Sequence, residues 1–374
     1  MLTHWIGVFE VKNKMGGSQM KTPYLEINLD KIEHNARTIV AQCQKSGIEV
    51  VGVSKGVLGH TEVVKAMLKG GITWIGDSRL LNIEKMKANG IERPFMLMRS
   101  PHLSEVHRTV ELADCSLNSE IKVLSALSEE AIKSGKVHKT IIMVDMGDLR
   151  EGIMPEDLFD FLGEATRLKG IEIWGLGMNL TDLNGTIPTH ENNTAFLELA
   201  RNMEEAYRFK FEVLSAGNSS SQMLLSQGGI PSGINQFRIG EGILLGKETV
   251  SRCDWPDTYQ DAFKLVAEVI ECKKKPSVPI GELGQDAFGN SPVIEDKGIM
   301  LRGILNVGRQ DIDPGGLMPI DANLSVLGAT SDHTIIDLTH ADYDAQVGDL
   351  VTFNLTYSAM LAAMTSPYVT KILT

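Results

Sequence analysis

One lysine ends a run of residues typical of a buried strand, and its type and position suggest chemistry. In EVVGVSKG, apolar and β-branched residues continue almost to Lys55, and glycine follows at once. A lysine at such a strand end serves either as a cation for a phosphate or carboxylate, or as an amine that forms a Schiff base with a carbonyl compound. Taken alone, Lys55 is explained equally well as a solvated lysine.

Two later segments are rich in glycine and hydroxyl side chains: SAGNSSSQ (215–222) and RIGEG (238–242). Such residues let backbone N–H groups and hydroxyls approach a phosphate closely. Taken singly, each is more often a tight turn that caps a helix. A phosphate site opposite a strand-end lysine nevertheless predicts pyridoxal 5'-phosphate as the cofactor, with Arg238 placed to face its pyridine nitrogen.

Eight short runs rich in β-branched residues alternate with segments of helical periodicity such as TEVVKAMLKGG, as in βα units around a parallel sheet. Eight such repeats in about 200 residues predict an α/β fold, a (β/α)8 TIM-type barrel whose strand ends converge at one mouth. A doubly wound sheet is the main alternative, but no GxGxxG follows the first run. The runs are 49–55, 73–79, 94–100, 113–119, 139–147, 171–180, 211–219 and 236–245.

The pattern changes from about residue 256 to period-two alternation with Gly and Pro turns, as in GIMLRGILNVG. This predicts a barrel over 20–250 followed by a C-terminal all-β domain over 256–374. A strand near 23–29 precedes the first barrel unit and is a candidate to join the β domain. Residues 1–19 lack the pattern of a signal peptide and are interpreted as an extension or tag-derived leader.

The composition favours a small-molecule ligand. The 374 residues carry a formal net charge of −12, which argues against nucleic acid or an anionic membrane as the main partner. No stretch reaches the roughly 18 apolar residues of a membrane span. The four cysteines have no metal-ligand spacing, which predicts reduced thiols, a cytoplasmic location and no metal site.

From LEINLDKIEHNARTIV through Lys55 to VTKIL, the chain resembles the fold-type III pyridoxal phosphate enzymes of the alanine racemase superfamily. Within it, the chain is similar to the alanine/ornithine racemase branch through DMGDLREGI, GNSSS, RIGE, VPIGELGQDAFGN, GRQDIDP and MTSPYV, in this order. The resemblance implies a racemase that binds pyridoxal phosphate and forms a homodimer with shared active sites.

The resemblance also implies roles for individual residues. Lys55 holds the cofactor covalently and acts as the base on one face of the substrate α-carbon. Arg150 lies near the substrate carboxylate, and Asp332 is lent by one subunit to its neighbour's site. The phosphate is held by Asn218, Ser219, Gly240 and the backbone at Glu241, Arg238 meets the pyridine nitrogen, and Asn179 stands where a histidine usually stacks on the ring.

Racemisation normally requires a base on each face of the α-carbon, and here the second base is open. Arg309 in VGRQDID occupies the position of the usual tyrosine, and arginine is protonated at any ordinary pH. Either Arg309 orients a water, Lys55 serves both faces, or another group substitutes. The candidate substitutes for the base are Asp311, Asp313, His333 and Tyr357.

A different tyrosine, the one usually found near the phosphate, is also missing from KGVLGH.

The substrate is expected to be ornithine or another basic amino acid ahead of alanine, with Glu241 and Glu282 as carboxylates that could receive its side chain. A decarboxylase on the same fold is the nearest alternative, although the cysteine motif of those enzymes is absent from the β domain. A non-catalytic pyridoxal phosphate-binding protein would lack that domain. A Schiff-base aldolase without cofactor is a remote third alternative.

Overall fold

Eight parallel strands close into a barrel, which confirms the predicted fold. The structure is a computed structural model and describes residues 21–291 and 293–374, so the predicted leader lies outside the described residues. The last barrel strand returns to the first, with Arg238 paired opposite Val51. Counted from β1 (Tyr24–Ile27), which lies outside the barrel, the barrel strands are β2 (Glu49–Val53), β3 (Trp74–Asp77), β4 (Phe95–Leu97), β5 (Cys115–Asn118), β6 (His138–Val144), β7 (Ile171–Met178), β8 (Val213–Ser215) and β9 (Gln236–Ile239).

Helices precede and follow the barrel strands, and their ends are set by local sequence. The side chain of Asn28 caps the first helix by accepting a hydrogen bond from the N–H of Lys31, 2.9 Å away. Thr189 and Asn192 form a capping box at the start of the seventh. The helices are α1 (Leu29–Gln44), α2 (Thr61–Lys69), α3 (Leu80–Ala88), α4 (Val106–Leu112), α5 (Ile121–Lys133), α6 (Leu158–Ala165), α7 (His190–Tyr207), α8 (Gln222–Ser226) and α9 (Glu241–Leu245).

The barrel interior is packed with side chains and leaves no channel through its centre in the described residues. Val51, Met96, Ile141 and Trp174 belong to a buried cluster formed by alternate residues of the strands. This cluster is separate from the larger core that also includes the buried faces of the helices. A ligand therefore binds outside the packed interior, and the polar strand-end residues point to the carboxyl ends of the strands.

The second domain is a mostly antiparallel sheet. β1 pairs with its longest strand, with Tyr24 opposite Val266, and runs parallel to its last strand, so the predicted early strand lies in this sheet. The strand order is β12-β15-β10-β11-β14-β13. The elements are β10 (Phe263–Pro276), β11 (Ile299–Leu305), β12 (Leu317–Pro319), β13 (Ser325–Ala329), β14 (Thr334–Asp337), β15 (Leu350–Leu355), α10 (Tyr357–Thr365) and β16 (Thr370–Leu373).

Two details differ from the sequence prediction. The last barrel strand ends at Ile239 and α9 follows, whereas the predicted run extended to residue 245. The second domain contains the unpredicted helix α10. Both helices are short and almost wholly apolar, so neither shows the period of 3.6 residues by which a one-sided helix is identified. No helix in the two described ranges is long and apolar enough to cross a membrane.

Candidate active site

A cavity of about 320 Å³ opens at the carboxyl ends of the barrel strands, and α10 contributes one wall of it. Its size falls within the usual range for small-molecule sites. The barrel residues predicted for the site meet here. The lining residues are Val53, Lys55, Met98, Arg150, Asn179, Thr181, Asp182, Asn218, Ser219, Arg238, Gly240, Glu241, Leu244, Thr249, Arg252 and Tyr357.

Lys55 stands two residues after the end of β2, and a buried hydrogen-bond network fixes the backbone at Ser54 between them. The hydroxyl of Ser54 donates to the carboxylate of Asp77 at 2.7 Å, and the same carboxylate accepts from the side chain of Asn82 at 2.9 Å. Burial raises the pKa of Asp77, although these hydrogen bonds act against the rise. Within the described ranges no hydrogen bond or ion pair holds the Lys55 amine, which is therefore available to a ligand.

Arg238 places a cation at the floor of the cavity. Its guanidinium is buried and donates to the carbonyl oxygens of Ser215 at 2.9 Å and Met178 at 2.7 Å. Burial lowers its pKa to about 10, while the negative charges of Asp182 and Glu151 act in the opposite direction. The group remains protonated near neutral pH because its pKa is still well above 7.

Small polar groups form the end of the cavity expected to hold a phosphate. The side-chain oxygen of Asn218 accepts from the N–H of Ser220 at 2.7 Å, which fixes the turn after β8. Ser219 accepts from the N–H of Gly242 at 3.0 Å and so ties this turn to the start of α9. A Cβ added at Gly240 would lie 3.2 Å from the Cβ of Val53, so glycine lets this turn approach the end of β2 closely.

The carboxylate of Glu241 lies at the same end and is neutralised by a neighbour. Arg252 donates to both of its oxygens, at 2.8 and 2.9 Å. Burial raises the pKa of Glu241, and Arg252 opposes that rise. Because the pair carries no net charge, Glu241 does not exclude an anionic phosphate. Neither Arg252 nor Thr249 was predicted, since both lie beyond α9 in a stretch without a recognisable motif.

Arg150 and Asp182 form an ion pair across the mouth. Arg150 donates to Glu151 at 2.7 Å through Nη2, and its Nη1 lies 3.2 Å from the Asp182 carboxylate. Asn179 also donates to Asp182 at 2.7 Å. Burial raises the pKa of Glu151, against the effect of Arg150. The sequence identified Arg150 and Asn179 but not Asp182, whose only signal is its position three residues after Asn179.

Asp148 joins the loop that carries Arg150 to the loop that carries Asp182. Its buried carboxylate accepts from the backbone N–H groups of Leu183, Asn184 and Thr186 at 2.9, 3.1 and 3.3 Å. Burial acts to raise the pKa of Asp148, but these donors bring it below its ordinary value. The two loops are therefore held in one arrangement before any ligand binds.

Replacing Asp148 with alanine is expected to lower the free energy of unfolding by about 2 to 4 kcal/mol, because three backbone donors lose a charged acceptor. Urea denaturation measures this change. Asp160→Ala, at an exposed position of α6, is the matched control and should change the value by less than about 0.5 kcal/mol. Equal stability of both variants would contradict the clamping role of Asp148.

Tyr357 is the only one of the four candidate substitutes for the base that lines the cavity within the described residues. Its ring packs on Gly56, where an added Cβ would lie 3.1 Å from Cε2. Burial, followed by the negative charges of Glu241 and Asp182, raises the pKa of Tyr357 to about 12. Its phenol is therefore protonated at neutral pH and is suited to donate a hydrogen bond.

Arg309 and Asp332 lie in the second domain, outside the cavity lining of this chain. The Arg309 guanidinium stacks 4.7 Å from the ring centroid of Phe288 and donates to the carbonyl of Ala329 at 3.1 Å. Asp332 is exposed beside His333 at 3.2 Å. The other residues considered in this domain are also outside: Asp311 is buried and bonded to Ser366, Asp313 caps a short helical turn, and Glu282 is exposed.

Comparison with known proteins covers most of the chain. The model of the alanine racemase N-terminal domain matches residues 27–247. An ornithine racemase of Acetoanaerobium sticklandii is 42% identical over 350 residues, covering 93% of this chain and 99% of that protein. A lysine racemase of Thermotoga maritima is 42% identical over 355 residues, covering 94% and 99%. The solved alanine racemase of Clostridium difficile 630 has the same fold, with a TM-score of 0.71 at 18% identity, and covers 96% of this chain and 97% of its own.

Proposed function

Because this chain belongs to the alanine racemase family, we propose that it is a pyridoxal phosphate-dependent racemase that interconverts the L and D forms of a basic amino acid. Ornithine and lysine are the first candidates, ahead of alanine, since the two relatives of 42% identity are named after them. The observation that carries the proposal is the meeting of Lys55, Arg150 and Arg238 in one cavity. The relatives' names favour racemisation over the decarboxylase and carrier alternatives.

The donors around the cavity fit the cofactor. Ser219, Gly240 and the paired Arg252 present hydroxyl, backbone and cationic groups suited to a phosphate. Arg238 is a buried donor suited to the pyridine nitrogen, and Lys55 is the amine that would hold the aldehyde carbon. When bound, pyridoxal phosphate withdraws electrons from the substrate α-carbon and so makes its proton acidic.

Within this cavity Lys55 is the amine suited to accept the α-proton. The Lys55 amine takes the α-proton from one face of the substrate, while Arg150 orients the substrate by its carboxylate. Tyr357 also lines the cavity, and its pKa of about 12 keeps the phenol protonated, so it is suited to donate a proton rather than to accept one. The opposite face is served by Lys55 itself, by the Tyr357 phenol or by a residue of a second subunit.

A homodimer with shared sites is the second part of the proposal. Arg309 and Asp332 lie in the second domain, outside this chain's own cavity. The family resemblance nevertheless gives both residues a role in an active site. That site is therefore the one of a neighbouring subunit. Large apolar side chains are exposed on the segment 280–288, among them Ile280 and Phe288, and the Arg309 guanidinium stacks on the Phe288 ring. Such a surface is typical of an interface with another chain. The cytoplasmic location stays a prediction.

The proposal is tested by incubating the cofactor-loaded protein with L-ornithine, L-lysine and L-alanine and separating the enantiomers of the recovered amino acids. The expected result is an equal mixture of L- and D-ornithine or L- and D-lysine, reached faster than with alanine. Release of carbon dioxide with formation of a diamine would instead support a decarboxylase. Bound cofactor without any conversion would support a non-catalytic binding protein.

A further inference from the structure

The ion pair between Arg150 and Asp182 faces the cavity. A basic amino acid carries an anion that could replace Asp182 as the partner of Arg150 and a side-chain cation that could replace Arg150 as the partner of Asp182. Arg150 is already paired with Glu151 through Nε and Nη2, so its Nη1 is the nitrogen shared with Asp182, 3.2 Å away. Both side chains are about one-third exposed, at 34% and 37%, and both line the cavity. A ligand from the cavity can therefore reach either partner.

The position of Asp182 is fixed by its loop. Thr181 has a φ of 78°, which is rare for a β-branched residue, and its hydroxyl donates to the carbonyl of Thr186 at 2.9 Å. Strained backbone of this kind persists only where surrounding contacts hold it, and it is common at functional sites. The hydrogen bonds to Asp148 supply that support. Asp182 is thus placed at the mouth before substrate arrives.

The other carboxylate that lines the cavity is less suited to bind a substrate cation. Glu241 already accepts both hydrogen bonds of Arg252, with distances of 2.8 and 2.9 Å. Displacing Arg252 would break the two charge-assisted hydrogen bonds that its Nη1 donates, whereas Asp182 loses only one contact when Arg150 turns to another anion. Asp182 is also the carboxylate next to the expected site of the substrate carboxylate.

We propose that Asp182 binds the side-chain ammonium of a basic amino acid while the carboxylate of the same molecule takes the place of Asp182 on Arg150. The inference rests on the proposed function, in that Arg150 receives the substrate carboxylate. Both charges of the original pair remain matched after the exchange, because ornithine or lysine brings one anion and one additional cation. Alanine takes Arg150 but leaves Asp182 without a cation, so the same pair disfavours alanine.

The test compares L-ornithine with L-norvaline, which lacks only the side-chain amine. Dissociation constants are measured by titrating the cofactor-loaded protein and following the visible absorbance of the cofactor. The unmodified protein should bind ornithine about 10- to 100-fold more tightly than norvaline. Asp182→Asn and Asp182→Ala should lose most of this preference, because ornithine binds more weakly while norvaline, which no longer leaves the Asp182 carboxylate unpaired, binds at least as tightly as before. Asp160→Asn on α6 serves as the control and should keep the preference.

Each outcome decides the assignment. The assignment of Asp182 is overturned if both Asp182 variants keep the ornithine preference. It is also overturned if Glu241→Gln is the variant that loses the preference while the Asp182 variants keep it. The assignment also fails if the unmodified protein has no preference for ornithine. Racemisation is measured separately on the same samples. If the ornithine preference depends on Asp182 but no racemisation occurs, the side-chain site is supported and the racemase proposal is refuted. If racemisation occurs but the preference does not depend on Asp182, the racemase proposal is supported and the side-chain site is refuted.

Discussion

Replacing Lys55 with alanine is expected to abolish racemisation, with turnover lowered by at least about 10³-fold. The substitution removes both the amine that would hold the cofactor covalently and the proton acceptor on one face of the substrate. Neither role has a substitute in the cavity lining, where no second lysine occurs among the described residues. The measurements are the initial rate with L-ornithine and the visible absorbance that remains after dialysis.

Lys65→Ala is the matched control for this variant. Lys65 lies on α2, is 46% exposed and pairs with Glu62, far from any role in the proposed chemistry. The control should keep both the absorbance and the rate. Covalently retained cofactor in Lys55→Ala would contradict the assignment of the attachment site, and an unchanged rate would contradict its catalytic role.

Mixing two inactive variants is expected to restore activity if active sites are shared between subunits. Lys55→Ala damages the barrel side of a site, and Arg309→Ala damages the part expected from the neighbouring subunit. Random reassociation makes about half of the dimers mixed, and each mixed dimer contains one intact site, so the activity should rise to about a quarter of the unmodified value. The rate of each variant alone and of the mixture after reassociation gives the result.

Two controls make the mixing experiment decisive. Mixing Lys55→Ala with Arg238→Ala should restore nothing, because both substitutions affect the barrel side of the same site. Sedimentation of the unmodified protein should give the mass of a dimer. Failure of the Lys55→Ala and Arg309→Ala pair to recover activity, with both shown to form mixed dimers, would contradict shared active sites.

The barrel was predictable because its signals are local. Each strand is a short β-branched run, and helices such as α2 and α5 show one apolar face, so the alternation of periods is visible in the sequence. The strand-end residues Lys55, Asn179 and Arg238 followed from the rule that parallel strands of a barrel end at one mouth. The structure brings these three side chains to one cavity.

The parts that were not predicted depend on contacts between distant segments. Asp182 is recognisable as a residue of the site only through its ion pair with Arg150, which lies 32 positions earlier in the chain. Arg252 is recognisable only through its contact with Glu241. The sequence named Tyr357 as one of four candidates for the second base but could not select it, because it reaches the mouth only through the packing of α10 against the turn after β2. Neither propensity nor spacing encodes such contacts, because they are set by how distant segments of the folded chain pack together.

The central claim, racemisation at the α-carbon of a basic amino acid, is tested most directly by solvent isotope exchange. Cofactor-loaded protein is incubated in D2O with each enantiomer of ornithine, lysine and alanine, and NMR follows the α-proton while chirality is determined on recovered material. We expect deuterium at the α-carbon and formation of the opposite enantiomer, fastest with ornithine or lysine. Intact α-protons and unchanged chirality with all three amino acids, in protein shown to hold its cofactor, would contradict the account.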